Sequence, residues 1–129
     1  MADKKIKILI VDDEPEICKF VKLLFRKKGF LVYSALSGSE AIRITKKVKP
    51  NVALLDIYLK RGMDGLQALK QIAKISPDCI CAMVTWDKTA LRMKEAKKGG
   101  AVCYITKPLT TNNLYRVVSS LVKNIRKRG

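Results

Sequence analysis

The chain has 129 residues, 48% of them hydrophobic and 29% charged, which are the size and composition of one globular domain. It carries 27 lysine and arginine residues against 11 aspartate and glutamate residues, for a formal net charge of +16, and it contains no histidine. Histidine-ligated metal sites and histidine general bases are therefore excluded, whereas the positive charge indicates attraction to nucleic acid, acidic proteins or anionic lipid without indicating a fold.

The first part of the chain predicts two strands joined by a helix. Residues 6–11 form a short run rich in isoleucine and valine, which predicts a strand buried on both faces. Pro15 is suited to the first turn of a helix, and Gly29 is suited to its end. The apolar residues between them have the spacing of one helix face: Ile17, Phe20, Val21, Leu24 and Phe25. Residues 30–35 predict the second strand.

A second helix and a third strand come next. Ser37 and Glu40 have the spacing of a capping box, and Pro50 ends the helix that they begin. Residues 52–55 are apolar throughout and predict the third strand. Asp56 stands directly at the end of that strand.

The last part of the chain repeats the alternation. A third helix begins after Asp64 and is ended by Pro77, and residues 79–84 predict a fourth strand. A basic helical stretch at about 88–98 is followed by a fifth strand at 101–105. The final helix has the clearest apolar face, formed by Leu114, Val117, Val118, Leu121, Val122 and Ile125.

This order predicts an α/β fold in one domain. Five strands that alternate with five helices form a parallel sheet with helices on both faces, joined by right-handed crossovers. The length of the units predicts the doubly wound, flavodoxin-like three-layer sandwich with strand order 2-1-3-4-5. We expect a single domain over residues 1–129, with a core at about 5–125 and a short basic tail at the carboxyl end.

Two features favour a cytoplasmic protein that does not enter a membrane. The apolar run at 6–11 is followed at once by Asp12, Asp13 and Glu14, so it is too short and too acidic downstream for a signal peptide, and no run approaches the roughly 18 residues of a membrane span. The cysteines, Cys18, Cys79, Cys81 and Cys103, form no CxxC pair. We expect them to be small buried hydrophobic residues rather than metal ligands.

Polar residues follow the strands that are expected at the centre of the sheet. Asp12 and Asp13 follow the first strand, Asp56 the third, Thr85 the fourth and Lys107 the fifth. In an open parallel sheet these carboxyl ends form the ligand site. Three neighbouring carboxylates suit magnesium, and a carboxylate can attack phosphorus while a cation stabilises the transferred group. The convergence therefore predicts a magnesium-dependent phosphoryl-transfer site.

The segments ILIVDDE, VALLD, AMVT and YITKP, which contain these residues, resemble the receiver domain of bacterial response regulators over essentially the whole chain. The resemblance implies that Asp56 is the phosphoacceptor and that Asp12 and Asp13 hold Mg2+ with it. The backbone carbonyl of Tyr58 would be a further metal ligand. Lys107 would contact a phosphoryl oxygen.

The resemblance also implies a switch rather than an enzyme. The bond between Lys107 and Pro108 is expected to be cis, Thr85 would move toward the phosphoryl group, and Tyr104 would rotate inward. A histidine kinase or a histidine phosphotransfer protein would supply the group, and the face of the fourth helix, fifth strand and fifth helix would control a partner. That face carries Arg92, Lys94, Lys97 and Arg116, so we expect an acidic partner.

Three features depart from the family pattern. The bulky Trp86 follows Thr85 where the family usually has a small residue. The loop IYLKRGMDG after Asp56 is one residue longer than the common form, which leaves its backbone path open. The family resemblance does not account for the high positive charge.

Other functions remain open on the sequence alone. A degenerate receiver, its site plugged by Trp86, would act as a phosphorylation-independent docking module. Nonspecific nucleic-acid binding is plausible through the basic residues Lys88, Arg92, Lys94, Lys97 and Lys98, but no helix-turn-helix or interleaved aromatic residue accompanies them. A flavin protein is disfavoured because carboxylates follow the first strand where a phosphate loop is needed. We expect either a stand-alone receiver or a receiver that is part of a longer protein.

Overall fold

The computed structural model describes residues 5–86 and 89–128, with the side chains up to residue 125. Strands and helices alternate through this part of the chain. In chain order they are β1 (Lys7–Val11), α1 (Pro15–Arg26), β2 (Leu31–Ala35), α2 (Gly38–Val48), β3 (Val52–Leu55), α3 (Gly65–Ile75), β4 (Ile80–Thr85), α4 (Ala90–Gly99), β5 (Ala101–Thr106) and α5 (Thr111–Arg128).

The strands form one parallel sheet in the order β2-β1-β3-β4-β5, which confirms the predicted doubly wound, flavodoxin-like fold. Val11, the last residue of β1, pairs with Ala35 on one side and with Leu55 on the other. The carboxyl ends of the central strands are therefore level with one another. Because the strand order reverses around β1 and β3, the residues that follow these two strands lie at the crevice where such folds bind ligands.

The sheet separates two hydrophobic clusters, which make the fold three layers deep. Leu9 and Leu55 point toward α2, α3 and α4, whereas Ile8 and Leu54 point toward α1 and α5. All four side chains are fully buried because successive residues of a strand alternate between the two faces. This explains why the strands are apolar throughout rather than alternately polar.

Polar side chains begin four of the helices at the positions that a helix start requires, and at α5 this residue is Thr110, which accepts from the backbone N–H of Asn113. Ser37 accepts a hydrogen bond from the backbone N–H of Glu40 at 3.2 Å, as the capping-box pattern predicts. The Glu40 carboxylate, however, accepts from the N–H of Leu36, one residue before the expected partner. Asp64 and Gln67 form a complete capping box at α3, and Thr89 begins α4.

The ends of several elements differ by a residue or two from the sequence prediction. The fourth and fifth strands each extend one residue further because Thr85 pairs with Thr106. The fourth helix begins at Ala90, and Lys88 of the predicted basic stretch lies outside the described residues. Among the cysteines, Cys103 is half-buried and the other three are buried. In the described part of the chain, no helix has the length and hydropathy that a bilayer crossing requires.

Candidate functional site

Backbone hydrogen bonds fix the polar residues at the carboxyl edge of the sheet. The N–H of Asp12 donates to the carbonyl of Ala35 at 3.1 Å, and the N–H of Asp56 donates to the carbonyl of Val11 at 3.0 Å. The N–H of Lys107 donates to the carbonyl of Thr85 at 2.9 Å. Each residue thus continues the ladder of its own strand by one step, which gives the side chains little freedom to separate.

Lys107 connects the carboxylates that follow β1 and β3. Its Nζ lies 2.8 Å from Oδ2 of Asp12 and 2.8 Å from Oδ2 of Asp56. It also lies 3.5 Å from Oε2 of Glu14, whose side chain is about half exposed. The side chains of Lys107 and Asp12 are 3% and 0% exposed, so this is a buried charge cluster, which requires mutual neutralisation to be stable.

Burial and pairing both affect the ionisation of this cluster. Removal from water raises the pKa of the Asp12 carboxyl, an effect that exceeds the opposing hydrogen bonds from Lys107 and from the N–H of Glu14. Burial by itself would lower the pKa of Lys107, but its hydrogen bonds to Asp12 and Asp56 outweigh this effect and raise the pKa overall. The ammonium group is therefore a permanent positive charge beside the carboxylates.

The acidic residues are arranged as a cation site requires. Asp12, Asp13 and Asp56 each present a carboxylate oxygen, and these oxygens all lie within 4.8 Å of one another. Two oxygens on one magnesium ion lie at most about 4.2 Å apart, given bonds of about 2.1 Å. The three carboxylates therefore fit Mg2+ after a small contraction or with intervening water. Hard oxygen donors are the ligands that this ion prefers.

Backbone groups that sequence patterns do not identify support the carboxylates and the end of β3 beside them. The N–H of Tyr58 donates to Oδ1 of Asp56 at 3.1 Å, and the N–H of Lys60 donates to Oδ2 of Asp13 at 3.0 Å. Gly65 packs so closely against the backbone of Asp56 that a Cβ at this position would collide with the carbonyl oxygen of Asp56. The contact of Glu14 with Lys107 was not predicted from the sequence. The one sequence feature that pointed to it is that Glu14 ends the acidic run at residues 12–14.

The predicted switch residues lie on neighbouring strands. Thr85 ends β4 and is fully buried, whereas Tyr104 in β5 is half-buried with its hydroxyl oxygen inside the protein. Tyr104 lines a cavity of about 400 Å³ between α4 and β5, together with Met93 and Lys97. The bond between Lys107 and Pro108 is cis, which confirms the expectation from the YITKP segment.

Trp86 lies at the rim of the site rather than within it. The residue is 64% exposed, and it lines a cavity of about 300 Å³ that also contacts Lys107. The remaining residues of that cavity are Glu14, Ile17, Phe20, Pro108 and Leu109. An apolar patch therefore adjoins the charged cluster on the side of α1.

The loop after β3 borders the opposite side of the site. Its backbone turns at Gly62, whose φ of 71° is readily available to glycine. The loop forms one wall of a cavity of about 660 Å³, whose polar and charged lining residues are Asp13, Ser37, Ser39, Lys60 and Arg61. Asp13 thus stands between this cavity and the buried carboxylates.

Comparison with known proteins supports the family resemblance that the sequence motifs indicated. The family model described as the response regulator receiver domain matches residues 8–119. The chain belongs to the response regulator receiver family. Its receiver fold aligns with a CheY-like response regulator receiver domain protein from Methanospirillum hungatei JF-1 at a TM-score of 0.92 and 28% identity. The alignment covers 98% of this chain and 100% of that chain.

Relatives of different lengths share this receiver region. Sporulation initiation phosphotransferase F of Bacillus subtilis is 32% identical over 108 residues, which are 84% of this chain and 86% of that protein. The transcriptional regulatory protein GlrR of Escherichia coli is 27% identical over 95% of this chain but only 28% of its own length. The chain therefore spans less than a third of that longer regulator. Receiver domains of two-component systems are signalling switches that use an acidic pocket of this kind.

Proposed function

We propose that this receiver accepts a phosphoryl group on Asp56 and acts as a phosphorylation-dependent switch. The observation that carries the proposal is the buried bridge from Lys107 to both Asp12 and Asp56, at 2.8 Å in each case. This arrangement brings a nucleophile, a fixed cation and two further acidic groups to one point. Phosphoryl transfer depends mainly on such positioning and charge.

Asp56 is better suited to accept the group than its acidic neighbours. Asp12 is fully buried, at 0% exposure, so its carboxylate is closed to a donor. Asp13 stands at the rim and is held by the N–H of Lys60. Asp56 lies between them and is 5% exposed, so a donor arriving from the edge of the sheet reaches its carboxylate.

The transfer of the phosphoryl group forms one bond to phosphorus and breaks another, and it needs no side-chain base. A carboxylate oxygen of Asp56 forms a bond to phosphorus while the bond from phosphorus to the imidazole nitrogen of a phosphohistidine breaks. The nitrogen retains the electron pair, and Lys107 remains protonated beside the new phosphoryl oxygens. A histidine kinase or a histidine phosphotransfer protein would be the donor, and such a donor implies action in the cytoplasm.

Asp12, Asp13 and Asp56, with the carbonyl of Tyr58, would hold Mg2+ in this proposal. The three carboxylates have hard oxygen donors within 4.8 Å of one another. When bound, the ion would neutralise negative charge on the transferring group. Lys107 would then be released from part of its contact with the carboxylates and be free to turn toward the phosphoryl oxygens.

The output would be carried by Thr85, Tyr104 and the face formed by α4, β5 and α5. The two switch residues lie on adjacent strands, and Tyr104 adjoins the cavity between α4 and β5. Arg92, Lys94 and Arg116 make this face basic, which favours an acidic protein partner and salt-sensitive binding. Binding that is equally strong at low and high salt would contradict this assignment.

The proposal is tested by intact mass after incubation with acetyl phosphate and magnesium. One added phosphoryl group is expected in the wild type and none in Asp56→Asn. Asp78→Asn is the matched control, since it removes the same charge from an exposed loop at the other edge of the sheet. Equal labelling of Asp56→Asn and the wild type would show that another residue accepts the group.

A docking module that works without phosphorylation is the second candidate. It is favoured by one observation, the position of Trp86 at the rim with an apolar cavity beside the charged cluster. In that case the mass experiment would show no added group in the wild type, and none in Trp86→Ala. Labelling that appears only in Trp86→Ala would identify the indole as the obstacle.

A further inference from the structure

The edge of the sheet opposite the carboxylates carries a separate concentration of positive charge. Every helix runs antiparallel to the strands that it connects, so the helix ends and the strand starts meet at this edge. We name it the basic edge. Its lysine and arginine residues are Lys5, Lys7, Arg26, Lys27, Lys28, Lys46, Lys47, Lys49, Lys74, Lys97 and Lys98. Asp78 is the acidic residue that the described part of this edge contains.

Structural roles account for only a few of these charges. Lys7 donates to the carbonyl of Val48 at 2.9 Å, and Arg26 donates to the carbonyl of Val32 at 3.1 Å. Lys28 lies 4.7 Å from the centre of the Tyr115 ring. Within residues 5–86 and 89–125, ion pairs involve Arg43, Arg92 and Lys107, and none of these belongs to the basic edge.

The remaining lysines of the basic edge are more numerous than the cations needed to complement the helix dipoles. One or two cations in the last turn complement the helix dipole. At the end of α2, however, Lys46, Lys47 and Lys49 are all exposed, and α4 ends with two further exposed lysines, Lys97 and Lys98. Such a concentration of like charge destabilises the folded state through mutual repulsion, which a bound polyanion would relieve.

The carboxylates of the phosphorylation site do not prevent a polyanion from binding here. The two edges are separated by the length of a strand such as β1, which is about 17 Å for five residues. A polyanion on the basic edge therefore leaves the acidic residues uncovered, and Lys107 neutralises part of their charge, so the site stays accessible to a donor.

We infer that the basic edge binds the phosphate backbone of duplex DNA without sequence preference. The basic helix ends lie on both faces of the sheet, at α1 on one side and at α2, α3 and α4 on the other, so the cations form a broad patch that suits the phosphates of a duplex. Single strands are usually held by aromatic stacking. Phe30, which could supply it here, packs against Phe25.

An anionic membrane is a poorer match for this surface. Membrane-surface binding combines positive charge with apolar side chains that enter the lipid. The large apolar side chains with the greatest exposure, Leu91 at 67% and Trp86 at 64%, lie toward the phosphorylation site. Near the basic edge, Val102 at 59% and Leu23 at 56% are more exposed than Leu31 and Ile75, but they lie on β5 and α1, at separate parts of the sheet, and form no continuous apolar patch.

The test is fluorescence anisotropy with a labelled 20-base-pair DNA duplex of arbitrary sequence, titrated at several salt concentrations. The wild type is expected to bind with a dissociation constant of roughly 10⁻⁶ to 10⁻⁴ M, weakening steeply with salt. Lys46→Glu/Lys47→Glu/Lys98→Glu should lower the affinity at least about tenfold. It should also reduce the slope of log K against log salt by about 2 to 3, since each lost phosphate contact contributes about 0.9.

A matched control variant distinguishes the effect of the basic edge on DNA binding from the effect of net charge. Lys19→Glu/Lys60→Glu/Arg61→Glu makes the same charge change away from this edge and should bind within about twofold of the wild type if the edge is the determinant. Lys46→Gln/Lys47→Gln/Lys98→Gln provides a milder version whose fold is checked by circular dichroism. Equal weakening by the control triple variant would overturn the inference, as would binding only to duplex RNA or only to vesicles that contain phosphatidylserine.

The inferred DNA binding by the basic edge is independent of the proposed phosphorylation. Asp56→Asn should bind DNA as the wild type does, because Asp56 lies at the other edge of the sheet. Failure of DNA binding would leave the phosphorylation proposal intact, and failure of labelling with acetyl phosphate would leave the DNA inference intact.

Discussion

Lys107 contacts Asp12 and Asp56 at equal distances and is itself almost fully buried. Removing only the lysine would leave two buried carboxylates facing each other. Breaking a buried pair in this way typically costs several kcal/mol, about 3 to 5. The lysine therefore has a structural role in the same contacts that would serve phosphoryl transfer, and loss of activity in a Lys107 variant needs a parallel measurement of stability.

Magnesium should stabilise the fold by binding to Asp12, Asp13 and Asp56. We predict that magnesium raises the midpoint of thermal unfolding in the wild type, since binding to the folded state alone shifts the unfolding equilibrium. Asp13→Ala should lose most of this shift, whereas Asp78→Ala should retain it. Differential scanning fluorimetry with and without magnesium measures both variants. An unchanged shift in Asp13→Ala would place the metal elsewhere.

Trp86 should slow the loss of the phosphoryl group by covering one side of the site. Its indole borders the cavity beside Lys107, so truncation would open a path for water. We predict faster dephosphorylation of Trp86→Ala than of the wild type, followed by intact mass over time. Equal or slower decay in the variant would show that the indole is no shield. Trp86 is the single tryptophan, so its fluorescence should also change when magnesium and beryllofluoride are added together.

At the scale of elements, the start of α3 is held against Asp56 through backbone packing. A Cβ on Gly65 would meet the carbonyl oxygen of Asp56, which is backbone and cannot move aside. We predict that Gly65→Ala lowers the free energy of unfolding by at least about 2 kcal/mol and reduces phosphorylation. Urea denaturation and mass labelling measure the two effects.

Gly38→Ala is the comparison for that variant. Gly38 also lies in the first turn of a helix, but an added Cβ there would meet the flexible side chain of Met63. Its stability should stay within about 1 kcal/mol of the wild type, because alanine also favours helix by roughly that amount. If both variants lose equal stability, the contact between Gly65 and Asp56 has no special role.

The elements and the convergence of the site residues could be predicted from the sequence, because they depend on periodicity and topology. The contacts made by loops could not be predicted, because they depend on the path of the backbone. The alternation of strands and helices brought Asp12, Asp56 and Lys107 together correctly, since parallel strands end at one edge. The supporting contacts of Lys60 and Gly65 could not be predicted, because they depend on where a nine-residue stretch after β3 turns.

At the scale of the whole molecule, repulsion among cations should limit stability at low ionic strength. The formal net charge is +16, and the described ion pairs engage few of the basic residues. We predict that the unfolding midpoint rises as sodium chloride increases from about 10 mM to 150 mM, because salt screens like charges over about a Debye length. Thermal melts at constant pH check this. A falling midpoint would mean that attractive pairs dominate instead.

The contacts of Lys107 also have a consequence for how the protein is made. Lys107 is separated by 95 residues in sequence from Asp12 and by 51 from Asp56. During synthesis the acidic residues leave the ribosome first, and the lysine that neutralises them emerges only with β5, near the end of the domain. The site is therefore completed late in folding. A phosphodonor that requires this arrangement would distinguish chains whose sheet is complete from nascent ones, and signalling would be confined to the former.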